Sequence, residues 1–269
     1  MADQDQTALG TIAWVDMQTP DLDKAKRFYG ELLGWSFVGG DDAKAQFYTT
    51  AQIRGRRVAG MATIPSQSQT PPAWTAYLAT DNADDTARRI KDAGGTVLMP
   101  PMDVMEHGRM AIFADPTGAN FGIWQAKEHR GAQVVDEPGA MAWHEIYTHD
   151  VVKARDFYAR VFALEQRRLD SPSLEYWTLH KGAKTAFGVM QMTSSMPADL
   201  PAHWSTYFAV ADADAAAKKV TALGGTVMAP PFDTPYGRMS AVIDPSGASF
   251  CVIKLAASPP GSQPTSARQ

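Results

Sequence analysis

From Thr11 to Thr19 apolar and polar positions alternate, with Ile12, Trp14, Asp16 and Gln18 on one face and Ala13, Val15 and Met17 on the other. That period of two predicts a strand. Thr19-Pro20-Asp21 supplies a capping side chain and a proline where a missing N–H does little harm, so a helix follows. Its apolar stripe is Ala25, Phe28, Tyr29, Leu32 and Leu33, and Gly34 ends it. Three short β-prone segments come next, Trp35–Val38, Ala45–Ala51 and Arg57–Ile64, with turns at residues 39–42 and 54–55 and a closing loop at 65–72. The pattern then restarts. Trp74–Thr80 reads as a strand, Asp81–Ala93 as a helix stopped by Gly94-Gly95, and Thr96–Met99, Arg109–Ala114 and Asn120–Gln125 as strands. Asp115-Pro116-Thr117-Gly118 reads as a turn between the last two.

This whole pattern occurs twice. Trp14, Thr19, Asp21, Lys24-Ala25 and Phe28-Tyr29 return 129 residues later as Trp143, Thr148, Asp150, Lys153-Ala154 and Phe157-Tyr158. Trp204 answers Trp74, Gly224-Gly225 answers Gly94-Gly95, and Asp244-Pro245-Ser246-Gly247 answers the first turn. Four βαβββ units in one chain predict an α+β fold of two tandem domains. Each domain is expected as a pair of curved mixed sheets enclosing a cleft, with helices outside. The expected boundaries are 11–125 for the first domain, 126–139 for a linker and 140–255 for the second. Residues 1–10 and 256–269 are polar and expected to be disordered.

At 269 residues the length suits two domains, and 45% hydrophobic with 20% charged residues is ordinary for a globular protein. A net charge of −4 without a basic face argues against nucleic acid. No stretch reaches the roughly 18 uninterrupted apolar residues of a membrane span. The N-terminal residues lack the pattern of a signal peptide, and the single cysteine, Cys251, fits a reducing compartment. A cytoplasmic protein is expected.

The residues TPDLDKAKRFYGELLGW with their echo, the Trp74–Asp81 strand and the DPTG and DPSG turns resemble the vicinal oxygen chelate superfamily. That superfamily includes glyoxalase I, bleomycin-resistance proteins and extradiol dioxygenases, and the layout is similar to tandem glyoxalase-like proteins of the actinobacterial type. The resemblance covers residues 11–255. It implies up to four metal-ligand positions per domain. These fall on Trp14 and Trp143, on the stretches Val58–Ile64 and Ala186–Met192, on Thr75 and Ser205, and on Gly122 and Cys251. A divalent cation needs about three His or carboxylate ligands, so neither domain is expected to keep the family's metal site. No cofactor is expected, with a relocated divalent metal as the open alternative.

Asp16 and Glu145 share a strand face with their tryptophans, and a buried carboxyl must be paired or protonated. They are either structural partners or, if functional, a general base or a hydrogen-bond acceptor for the ligand. Arg109 and Arg238 are expected either to bind an anionic ligand or to pair with these acids or with the Asp of the DPxG turn. His144 alternates away from Glu145 and is read as structural, whereas His203 shares a face with Ser205 and Tyr207. Trp14, Tyr48, Tyr77 and Trp124, and in the other half Trp143, Trp177 and Tyr207, are expected mostly to pack in the core, with a subset as candidate cleft aromatics for a flat ligand. Phe28, Phe157, Trp74 and Trp204 are assigned to the helix–sheet core.

The leading expectation is therefore a metal-free protein binding a small apolar or aromatic molecule. The alternative is a lyase, isomerase or hydroxylase-like enzyme acting through Asp16, Glu145, Arg109 and Arg238. A third reading leaves only the second cleft usable. A monomer, or a weak homodimer, is expected because tandem fusion supplies pairing internally.

Overall fold

The computed structural model describes residues 8–39, 48–65, 67, 70–171 and 174–257. The first half runs β1 (Ile12–Thr19), α1 (Leu22–Leu33), β2 (Ser36–Val38), β3 (Tyr48–Ile53), β4 (Arg56–Thr63), β5 (Ala73–Ala79), α2 (Ala83–Asp92), β6 (Thr96–Val104), β7 (Gly108–Ala114) and β8 (Asn120–Ala126). The second repeats it as β9 (Met141–Thr148), α3 (Val151–Phe162), β10 (Glu165–Arg168), β11 (Tyr176–Lys181), β12 (Lys184–Gln191), β13 (His203–Ala209), α4 (Ala213–Ala222), β14 (Thr226–Thr234), β15 (Gly237–Ile243) and β16 (Ser249–Leu255). Of the sequence expectations, the strand start at 45–47, the turn at 40–42, residues 1–7 and residues 258–269 lie outside the described residues.

Each half is one continuous eight-stranded sheet, ordered β2-β3-β4-β1-β5-β8-β7-β6 and β10-β11-β12-β9-β13-β16-β15-β14. β1 and β5 join the two units of the first half antiparallel, with Asp16 opposite Thr75, while β1–β4 and β5–β8 run parallel. The first strand of each half is therefore central, which places its inward face at the floor of the cleft. One boundary differs from the sequence expectation. β6 continues to Val104 through Pro100-Pro101, because it is an edge strand and the prolines sit where the register shifts between Met99 and Met102. A proline costs no ladder bond at such a position.

The helices lie outside each cleft and also between the two halves. Asp21 caps α1 by accepting from the backbone N–H of Lys24 at 2.9 Å, and its buried side chains are Ala25, Phe28, Tyr29 and Leu33. Tyr29 packs on Phe250 of the opposite sheet with ring centroids 5.4 Å apart, and Trp74 packs on Phe208 at 4.9 Å. The Tyr29 hydroxyl accepts from the Trp74 indole and donates to Asp244 in the second half. Tyr158 does the same with Trp204 and Asp115 of the first half. Asp115 also holds its own turn, accepting from the backbone N–H groups of Thr117 and Ala119. The DPxG carboxyls are thus reciprocal clasps between halves. One hydrophobic core runs through both, and the aromatic residues assigned to a helix–sheet core belong to this shared layer.

Candidate functional site

Glu145 lies mid-way along β9, opposite Gly188 of β12 and Ser205 of β13. It is buried, and phenol hydroxyls surround it. Tyr176 donates to Oε2 at 2.7 Å, Tyr207 donates to Oε1, and the Trp143 indole lies 3.4 Å from Oε2. The Trp143 N–H also donates to the Tyr176 hydroxyl at 3.1 Å. Tyr176 reaches the acid only because residue 188 is glycine, since a Cβ there would stand 2.0 Å from the hydroxyl oxygen. Half-buried Tyr147 extends the network outward, its hydroxyl 2.9 Å from that of Tyr207 and its ring stacked on His203 at 5.3 Å. Burial, and then the nearby acid, pushes the Tyr176 phenol well above its ordinary range, so it stays a donor. Cys251 meets Ser205 at 3.6 Å, and burial pushes its thiol up to about 12, which keeps it protonated and a poor ligand. Tyr207, Cys251 and Ile253 form a small buried apolar cluster, with half-buried Trp143, Met239 and Ala241 packed against it.

The first cleft is a reduced version. Asp16 lies opposite Gly60 and Thr75 and accepts from the Tyr77 hydroxyl at 3.3 Å. The Tyr48 hydroxyl passes over Gly60, where a Cβ would approach it to 1.9 Å, and accepts from the Trp14 indole at 3.0 Å. Burial pushes the Asp16 carboxyl up to about 7, the Tyr77 bond opposing it. Gln18 stands where the second half has Tyr147, so no phenol relay leads outward.

Several placements depart from the sequence expectations. Arg109 pairs with Asp84 at 2.9 Å and Asp103 at 3.3 Å, and Arg238 with Asp214 at 2.6 Å and Asp233 at 3.2 Å. Neither arginine pairs with Asp16, Glu145 or a DPxG carboxyl. The reason is alternation along β7 and β15, where Met110 and Met239 take the cleft side and the arginines turn to the first turns of α2 and α4. Trp177 is also turned away. Its ring lies under the Arg155 guanidinium at 3.7 Å, and its N–H donates to Glu175. The counterpart of Tyr48 is Tyr176, because the chain before β11 is one residue shorter and one residue of slip exchanges the faces of a strand. Gly60 opposite Thr50 and Gly188 opposite Thr178 give that offset directly.

The sequence reading missed Tyr176 and Tyr147. Tyr147 had a signal, being two residues beyond Glu145 on the same strand face. His144 is buried on the other face, and burial holds its imidazole down to about 3, a structural setting. His203 is half-buried, with Nδ1 2.9 Å from the Pro201 carbonyl oxygen. The Trp124 indole donates to the carbonyl of His129, a residue of the segment joining the halves, at 2.7 Å.

Residues 11–123 match the Glyoxalase/Bleomycin resistance protein/Dioxygenase superfamily, and residues 143–253 match a glyoxalase-like domain. A Mycobacterium tuberculosis protein named "Putative glyoxylase CFP32" is 40% identical over 255 residues, covering 92% of this chain and 95% of its own. The chain belongs to this glyoxalase superfamily. Another relative, the "Anthracycline biosynthesis protein DnrV" of Streptomyces peucetius, is 37% identical over 261 residues, 92% of this chain and 94% of its own. The fold is shared with the Mn(II)-bound glyoxalase from Novosphingobium aromaticivorans (TM-score 0.63, 16% identity, covering 92% of this chain and 85% of that one). It is also shared with the 2,3-dioxygenase LapB from Pseudomonas sp. KL28 (TM-score 0.62, 15% identity, 96% and 97%).

The indoles of Trp14 and Trp143, the hydroxyls of Thr75 and Ser205, Gly122 and the protonated thiol of Cys251 stand at expected ligand positions, and the stretches Val58–Ile64 and Ala186–Met192 hold no His or carboxylate. Among the described residues no three His, Cys, Asp or Glu side chains converge as a metal site.

Proposed function

We propose that the second cleft binds a small, flat, apolar or aromatic molecule without the family's metal. The carrying observation is the buried Glu145, with the hydroxyls of Tyr176 and Tyr207 on its two oxygens and the half-buried Trp143 indole beside it. Such a site offers stacking area together with a polar group that fixes orientation. A relative named for anthracycline biosynthesis is consistent with a flat polycyclic ligand. Titration with a dihydroxyanthraquinone, followed by tryptophan fluorescence, tests the reading. Trp143→Ala is expected to weaken binding about ten-fold, roughly 1.4 kcal/mol. Stoichiometric Zn, Ni, Fe or Mn in the purified protein, with binding lost on chelation, would overturn it.

A second reading is favoured by one specific observation, the Asp16 carboxyl pushed up to about 7. A half-buried acid that exchanges its proton near neutrality suits general acid–base chemistry of the lyase or isomerase type. The arginines are held elsewhere, so the reading rests on the acids. Loss of turnover in Asp16→Asn with a thermal midpoint that is not lowered would support it. A variant that keeps full turnover would sink it.

A further inference from the structure

The segment between β8 and β9 does more than join the halves. The backbone N–H of Ala132 donates to the Ala13 carbonyl at 2.9 Å, and that of Gln133 to the Arg57 carbonyl at 2.8 Å. It therefore wedges between β1 and β4, whose ladder begins only at Asp16 and Gly60. Residue 131 must be glycine for this approach, because a Cβ would stand 2.3 Å from the Ala13 oxygen. The wedge carries the His129 ring into the tryptophan end of the first cleft. There its centroid lies 4.4 Å from that of Trp14, edge to face at 89°, and 5.5 Å from that of Trp124. Trp14 and Trp124 are 3% and 7% exposed, and Ala132 and Val134 of the joining segment are buried. Among the described residues the buried His129 Nδ1 has no hydrogen-bond partner. Burial, then Arg57 and His107, hold the imidazole down to about 4, so it enters as a neutral flat heterocycle.

The second half differs at each of these points. The counterparts of Trp14 and Trp124 are Trp143 and Ile253, Trp143 is half-buried, and the position matching His129 is Ser258, which has no ring and lies outside the described residues. We propose that the tryptophan end of the first cleft is a second ring-binding site whose resident occupant is the chain's own His129. One free flat molecule then binds per chain, in the second cleft. This rests on reading the second cleft as a ring-binding site. It adds that the first is a neutral-heteroaromatic site of the same kind, already filled.

The test counts sites for a dihydroxyanthraquinone in the full-length protein and in a variant whose residues 128–134 are replaced by a Gly-Ser segment of equal length. One equivalent in the native chain and two in the variant is the expected result. One equivalent in both would overturn the inference and leave the proposed function standing, and two in the native chain would also overturn it. None in the native chain and one in the variant would overturn the proposed function while supporting the self-occupied site. No binding in either would overturn both. If the replaced chain does not fold, His129→Gly takes its place, with free imidazole as the probe. Imidazole should then raise the thermal midpoint of the variant and not of the native protein, and an unmoved variant would overturn the inference.

Discussion

Asp16 and Glu145 show how one change of side-chain length alters a site built on the same strand position. Glu145 reaches two phenols, whereas among the described residues the shorter Asp16 accepts from Tyr77 alone, at 3.3 Å. Its carboxyl pushed up to about 7 has a definite consequence for stability. An ordinary aspartate loses its proton near pH 4, so between about pH 4 and 7 the folded state binds more protons than the unfolded one. Stability from this group therefore falls as pH rises through that interval and is level above it. Asp16→Asn should leave the thermal midpoint unchanged near pH 3, raise it progressively across the interval, and hold the gain at pH 8. A midpoint lowered equally at every pH would show that the bond from Tyr77 outweighs the cost of burial.

At the scale of the strand, the glycines of β4 and β12 decide whether a tyrosine can cross to its acid. In Gly188→Ala the new Cβ would meet the Tyr176 hydroxyl at 2.0 Å, so the phenol must swing out and leave Glu145 short of a donor. Overpacking and the lost bond together predict a loss of about 1–3 kcal/mol in urea unfolding, with weaker ligand binding. An unchanged midpoint would show that the strand can shift away. These elements were legible from the chain because strand and helix periods are local properties, and the strand β1 and helix α1 emerge within a residue or two of expectation. Two strand-scale errors have physical causes. The proline pair did not end β6, because an edge strand needs no ladder bond there. A one-residue deletion before β11 moved Tyr176 into the cleft in place of Trp177, since the side-chain period of two turns any odd slip into a change of face.

Across the whole molecule, the clasps Tyr29–Asp244 and Tyr158–Asp115 and the aromatic layer between the sheets make the halves mutually dependent. Tyr158→Phe removes the Asp115 donor without changing volume, and should cost about 1–3 kcal/mol because the buried acceptor loses a partner. Urea unfolding of the native chain should follow one transition by fluorescence and by circular dichroism. Two separated transitions would show that the halves fold on their own. The repeat, the order of elements and the inward face of each first strand follow from the sequence alone, because they depend on backbone periods and on side chains a few residues apart. Only the tertiary structure decided that Tyr29 meets an acid 215 residues away, that the arginines turn to the helices, and that His129 packs on Trp14 while Trp143 stays half-buried. Those outcomes depend on how two sheets and a joining segment pack together, and no local periodicity encodes that docking.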